Sequence, residues 1–109
     1  MVDKRKSPRV KMRASVRYGL TNPPEQFAFI TDLSETGICI KTNQVFGVGT
    51  KLYLKITIDD VDYMAEGVVA WAKKVPHGLL HITKCGMGVE FSRADEGLTE
   101  HYHKRKARH

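Results

Sequence analysis

The chain has 109 residues, 41% of them hydrophobic and 28% charged, which fits one soluble domain able to bury a core without disulfide staples. No apolar run approaches the roughly 18 residues that cross a bilayer, and the basic start, Met-Val-Asp-Lys-Arg-Lys, has no apolar segment behind it; membrane insertion and export are not expected, and the cytoplasm is. The net charge of +6 is uneven: residues 1–17 hold seven Lys or Arg against Asp3, residues 101–109 hold four with no acid, and the body between carries −4. Two basic ends on a mildly acidic body favour an anionic partner gripped by the termini.

In chain order, residues 1–13 show no apolar periodicity and are expected to form a flexible basic arm. Residues 14–18 form a first strand. Thr21-Asn-Pro-Pro24 is a turn, because two prolines do not fit a sheet interior. Residues 27–31 and 38–42 are strands on either side of the polar turn 32–37. In Lys51-Leu-Tyr-Leu-Lys-Ile-Thr-Ile58, Leu52, Leu54, Ile56 and Ile58 alternate strictly with polar partners, the signature of a strand with one buried face. Asp59 and Asp60 turn the chain into a long strand over 61–73, with Gly67 a bulge candidate. Strands at 79–83 and 87–91 follow, and Ser92 or Asp95 caps a helix reaching about Lys106. Short strands at intervals of about ten residues predict a sandwich or barrel. The expected organisation is an arm over 1–13, a β-domain over 14–92 and a helical tail over 93–109.

Two segments carry binding chemistry. Arg5-Lys-Ser-Pro-Arg9 places two arginines four positions apart, and a guanidinium fork pairs with phosphate oxygens or the O6/N7 edge of guanine. Pro8 biases Ser7 toward extended geometry. The turn Asp32-Leu-Ser-Glu-Thr-Gly37 offers a carboxylate for guanine N–H donors, a hydroxyl that can tie the turn, and a glycine for a tight or closely approached position. Each segment alone is also compatible with a solvated tail or an ordinary capped hairpin.

Together, Arg5-x-x-x-Arg9 followed by Asp32-x-Ser34-x-x-Gly37 resembles the two-part ligand signature of the PilZ family, bacterial receptors for cyclic di-GMP. Gly67-Val-Val-Ala-Trp71 and Gly86-Met-Gly-Val-Glu-Phe91 are similar to strands that recur in that family, so the likeness spans about residues 4–91. The resemblance implies an all-β fold, a small six-stranded antiparallel split barrel with a C-terminal helix and a flexible basic N-terminal arm. It also implies that Arg5 and Arg9 contact guanine and phosphate, that Asp32, Ser34 and Gly37 complete the site, and that the arm orders over the ligand. Lys4 lies where family members differ in ligand number.

Lys6 and Arg13 are supporting candidates for phosphate. Trp71, the one tryptophan, either packs inside the barrel or lines the ligand surface. Cys39 and Cys85 read as small core residues, and no Cys-x-x-Cys or zinc spacing is present. His101 and His103 stand two apart, a spacing that does not share a helix face, and they read as solvated; no metal and no cofactor are expected. The sequence has no Gly-x-Ser-x-Gly elbow and no His-Glu-x-x-His, and Asp59, Asp60 and Asp62 read as solvated turn charges, so no enzyme activity is expected. The partners expected are cyclic di-GMP and a separate effector protein, for a monomer or a dimer. The alternatives are a ligand-independent adaptor of the same fold and a β-barrel nucleic-acid binder. Tyr53, Tyr63 and Trp71 form no aromatic–basic stripe in the sequence, which argues against the second.

Overall fold

In the first strand, Val10, Met12, Ala14, Val16 and Tyr18 all turn inward, while Lys11, Arg13 and Arg17 face out. That alternation begins at Val10, four residues before the expected start, because Val10 and Met12 share the phase of the later apolar positions. The computed structural model describes residues 9–73 and 86–107. It contains β1 (Val10–Gly19), β2 (Gln26–Leu33), β3 (Gly37–Lys41), β4 (Lys51–Ile58), β5 (Val61–Ala72), β6 (Met87–Ala94) and α1 (Glu96–Ala107). The last part of the expected arm, residues 10–13, thus belongs to the sheet, and residues 1–8 lie outside the described residues, as does the strand expected over 79–83.

All strand pairs are antiparallel, and the order β1-β2-β3-β6-β5-β4 closes into a barrel when β4 pairs back onto β1. The core is the inner face of this sheet: Val16, Tyr18, Ile30, Leu33, Ile38, Ile40, Leu52, Leu54, Ile56, Met87 and Val89 are buried there. Branched aliphatics dominate because they suit the pleated surface, and each contributes roughly 1.5–3 kcal/mol of burial. Asp59 and Asp60 both adopt left-handed backbone, with φ of 51° and 66°, which gives the β4–β5 hairpin the twist its strands need.

Helix α1 starts directly after Asp95, so of the two expected caps Asp95 stands at the boundary and Ser92 remains in β6. The Asp95 carboxylate accepts from the Met64 N–H at 2.7 Å, tying the start of the helix to β5. Leu98 and Tyr102, one turn apart, are the buried residues of α1 and join the core cluster. The helix thereby covers the barrel end where β1 begins and β2 ends. The irregularity expected at Gly67 exists, but the extra residue is Ser92 on β6, across from the Glu66–Gly67 step.

Candidate ligand-binding site

The site builds up from a phase slip in β2. Ala28 and Ile30 are buried, and strict alternation would send Asp32 into the core next. The register against β3 instead passes from Ile30↔Ile40 to Asp32↔Cys39, leaving Thr31 as an extra residue. This bulge turns Asp32 outward and lets Leu33 take the buried position. Outside, Asp32 Oδ1 accepts a hydrogen bond from Arg9 Nη1 at 2.7 Å, an ion pair with side-chain exposures of 33% and 19%. Arg9 immediately precedes β1, so the C-terminal arginine of the expected motif is fastened to its aspartate. Arg5, Lys4 and Lys6 lie outside the described residues.

Ser34 takes a different part. Its Oγ accepts from the N–H groups of Thr36 at 3.2 Å and Gly37 at 3.1 Å, and its own N–H donates to the Gly37 carbonyl at 2.9 Å. The side chain is buried and its hydrogen-bonding capacity is committed to closing the turn, so it shapes the site from beneath. Gly37 has no left-handed φ; it is needed for closeness, since a Cβ there would run into the Val89 carbonyl oxygen of β6. The turn is therefore pressed against the neighbouring strand.

The pairings Lys11↔Asp32, Asp32↔Cys39, Cys39↔Gly88 and Gly88↔Trp71 form one continuous row across five strands. Its neighbours Leu33, Ile38 and Val89 point inward, so this row is on the outer face. Trp71 is 40% exposed, which places the indole outside the barrel and not in its core. A Cβ on Gly88 would collide with the Trp71 Nε1, so the ring lies flat over that glycine. Cys39 also belongs to the outer face, although only 7% of it is exposed. Two residues with little or no side chain, Gly37 and Cys39, thus floor a shallow surface, and Gly88 seats the indole that ends it. Arg9 and Asp32 bound it on one side and Trp71 on the other, with Asp32 and Trp71 three strand spacings apart, about 14 Å. A planar heterocycle fits such a floor, with hydrogen-bond partners at one edge and an indole face at the other.

Arg13 is not brought to this surface. It lies further along β1, with its Cζ 4.4 Å from the centre of the Phe29 ring. The tail histidines are engaged too: His103 Nε2 is 3.2 Å from Glu35 Oε2, in the turn between Asp32 and Gly37, and Arg105 donates to His101 at 3.1 Å. His103 thus keeps the solvent exposure expected of it while neighbouring an acid of the candidate turn, and the His101 contact lies within α1. Asp62 likewise accepts from Thr57 Oγ1 at 2.6 Å and pairs with Lys55 at 3.4 Å; that hydroxyl first, and Lys55 second, hold its carboxyl below the usual range. Among the described residues, no three His, Cys, Asp or Glu come together as a metal site would require. Residues 3–104 match the family model of the PilZ domain.

The chain belongs to the PilZ family. This is a family of cyclic di-GMP receptors and adaptors, binding proteins and not enzymes. The fold of this PilZ domain is similar to that of the Bacillus subtilis inhibitor of motility (MotI/DgrA), with a TM-score of 0.74 and 18% sequence identity. The likeness covers 98% of this chain and 53% of that one, so the PilZ domain described above spans about half the length of that protein. No curated protein matches the chain. Among the described residues of the PilZ domain, no helix is long and apolar enough to cross a membrane.

Proposed function

We propose that this PilZ domain is a cytoplasmic receptor for cyclic di-GMP that orders its N-terminal arm over the ligand and signals to a separate effector protein. The observation that carries the reading is the Arg9–Asp32 pair at the edge of the small-residue floor that runs to Trp71. Asp32 accepts the guanine N1–H and N2–H donors. Arg9, held beside Asp32, turns its guanidinium to a guanine edge or a phosphate. Arg5 closes from the other side of the arm, with Lys4 and Lys6 adding positive charge. Gly37 and Cys39 let the purine approach the sheet, and the indole seated on Gly88 stacks on it. No cofactor enters the reading.

Arm closure is coupled ordering: the segment loses conformational freedom, and charge-assisted contacts of about 1.5–3 kcal/mol each offset that loss. Removing one arginine is therefore expected to weaken binding by roughly 10- to 150-fold. Calorimetric titration of cyclic di-GMP into the wild type and into Arg9→Ala at moderate salt tests this. Binding by the wild type with at least a tenfold loss in the variant is the expected result. No heat in either would remove the receptor reading and leave the ligand-independent adaptor.

A further inference from the structure

The outer face of β1 and β2 carries a second surface that the ligand reading does not use. Phe27 and Phe29 stand two apart on β2, packed edge to face with centroids 5.4 Å apart, and Phe27 is 54% exposed. Arg17 lies over the Phe27 ring at 5.3 Å and Arg13 over the Phe29 ring at 4.4 Å. Lys41 pairs across from Phe29 on β3, Lys55 pairs across from Arg17 on β4, and Leu20 is exposed just beyond the end of β1. Among the described residues neither Arg13 nor Arg17 forms an ion pair, whereas Lys55 turns away to Asp62. Like charges directly opposite on neighbouring strands, as at Arg17 and Lys55, weaken a sheet. Their presence here, around exposed rings, needs a partner to account for it.

We propose that this face docks an acidic amphipathic helix of a partner protein, its apolar residues on Phe27 and Phe29 and its carboxylates on Arg13 and Arg17. Charge fixes the sign of the partner. The composition, arginine and phenylalanine with an apolar neighbour, is that of an interface centre. Barrel closure favours the mode: each described strand has a neighbour on both sides over part of its length, which leaves only short free edges for an added strand and favours packing on the face. Arg13 and Arg17 are four residues apart on a strand, about 13 Å, close to two helical turns, the distance between carboxylates at positions i and i+7 or i+8. Nucleic acid fits less well. The two rings lie at 78° to each other and each already carries a guanidinium, so they offer no parallel platforms for successive bases. The proposal deepens the effector half of the function proposed above, without depending on the ligand half.

The test uses the full chain, isotopically labelled, titrated with a designed helical peptide that repeats Glu at i and i+7 around central leucines. Controls are a Lys-for-Glu version of the peptide and an oligothymidylate. Amide shifts confined to residues 13–17 and 27–29, absent with the basic peptide and weakened about tenfold by Arg13→Glu/Arg17→Glu, are expected. Phe27→Ser, which keeps both charges, is expected to weaken binding as well. Both variants alter exposed side chains, and cyclic di-GMP titration and thermal melting show whether the fold and the ligand site remain. If the ligand site fails while the peptide still binds, the docking reading stands alone. No shifts with the acidic peptide, or shifts that the double variant leaves intact, would overturn it. Tighter binding of the oligothymidylate on the same residues would replace the protein partner with a nucleic acid. A concentration-dependent dimer in sedimentation that the double variant dissolves would make the occupant a second copy.

Discussion

A methyl group at position 88 would occupy the space taken by the Trp71 indole, so this glycine and this tryptophan form one device. The glycine gives the ring a seat, and the ring in turn ends the floor on which a purine would lie. Gly88→Ala is expected to lift the indole into solvent, red-shift the fluorescence of the single tryptophan, and weaken cyclic di-GMP binding by about 2- to 10-fold, the worth of one aromatic stack. Emission and affinity both unchanged would mean that the indole neither rests on Gly88 nor meets the ligand. Ser34 shows the opposite case. Its hydroxyl belongs to the turn, so replacing it would alter the site by loosening residues 34–37 and not by removing a direct contact.

At the scale of elements, α1 depends on its docking. It has 12 residues, and Leu98 and Tyr102 are the two that reach the core; a helix that short is marginal on its own in water. Glu96 in the first turn and Lys104, Arg105 and Lys106 in the last match the helix dipole, but such charges add only tenths of a kcal/mol each at the surface. Leu98→Ala is therefore expected to cost about 2–4 kcal/mol in urea denaturation, mostly through the cavity it leaves. A cost below 1 kcal/mol would show that the helix is not part of the cooperative unit. The strands were largely legible because their alternation is local: β4 is read residue for residue, and β3, β5 and β6 to within a few positions. The ends of β1 and β6 were missed because basic residues on the outer face of β1, and Ser92 and Arg93 in β6, look like arm and cap when the partner strand is not known. In the candidate site, the placement of Arg9 and Asp32 followed from their motif. The Cys39–Gly88–Trp71 row did not, since it depends on cross-strand register between positions 49 and 17 residues apart. The stacking of Arg13 and Arg17 on Phe29 and Phe27 was hidden for the same reason.

For the whole molecule, alkaline pH probes the core directly. Tyr18 is fully buried, its hydroxyl donating to the Gln44 carbonyl at 2.8 Å and accepting from Thr42 Oγ1 at 2.7 Å. Burial raises its ionisation above the ordinary value of 10.0, against a smaller opposing effect of Thr42. Tyr102 is raised in the same direction, by burial and then by the Glu35 carboxylate. In the unfolded chain these tyrosines lose their protons near pH 10, while the fold keeps them, so the unfolded state binds fewer protons there and stability falls as pH rises. The melting temperature is expected to feel no tyrosine effect below about pH 10 and to drop above it. Tyr18→Phe should shallow that drop while costing about 1 kcal/mol at neutral pH, because Thr42 and Gln44 lose their partner. An equal slope in both proteins would place the alkaline sensitivity elsewhere. The extra residue in β2 has a consequence of another kind. Substitution at Thr31 leaves the strand's length alone, but deleting that one codon, while keeping Ile30 and Leu33 inward and Asp32 outward, would set two β2 steps against the four of β1 between Ala14 and Val10 and slide Asp32 out of register with Arg9. In a lineage of such chains, strand length at this point is inherited under tighter constraint than the letters that fill it.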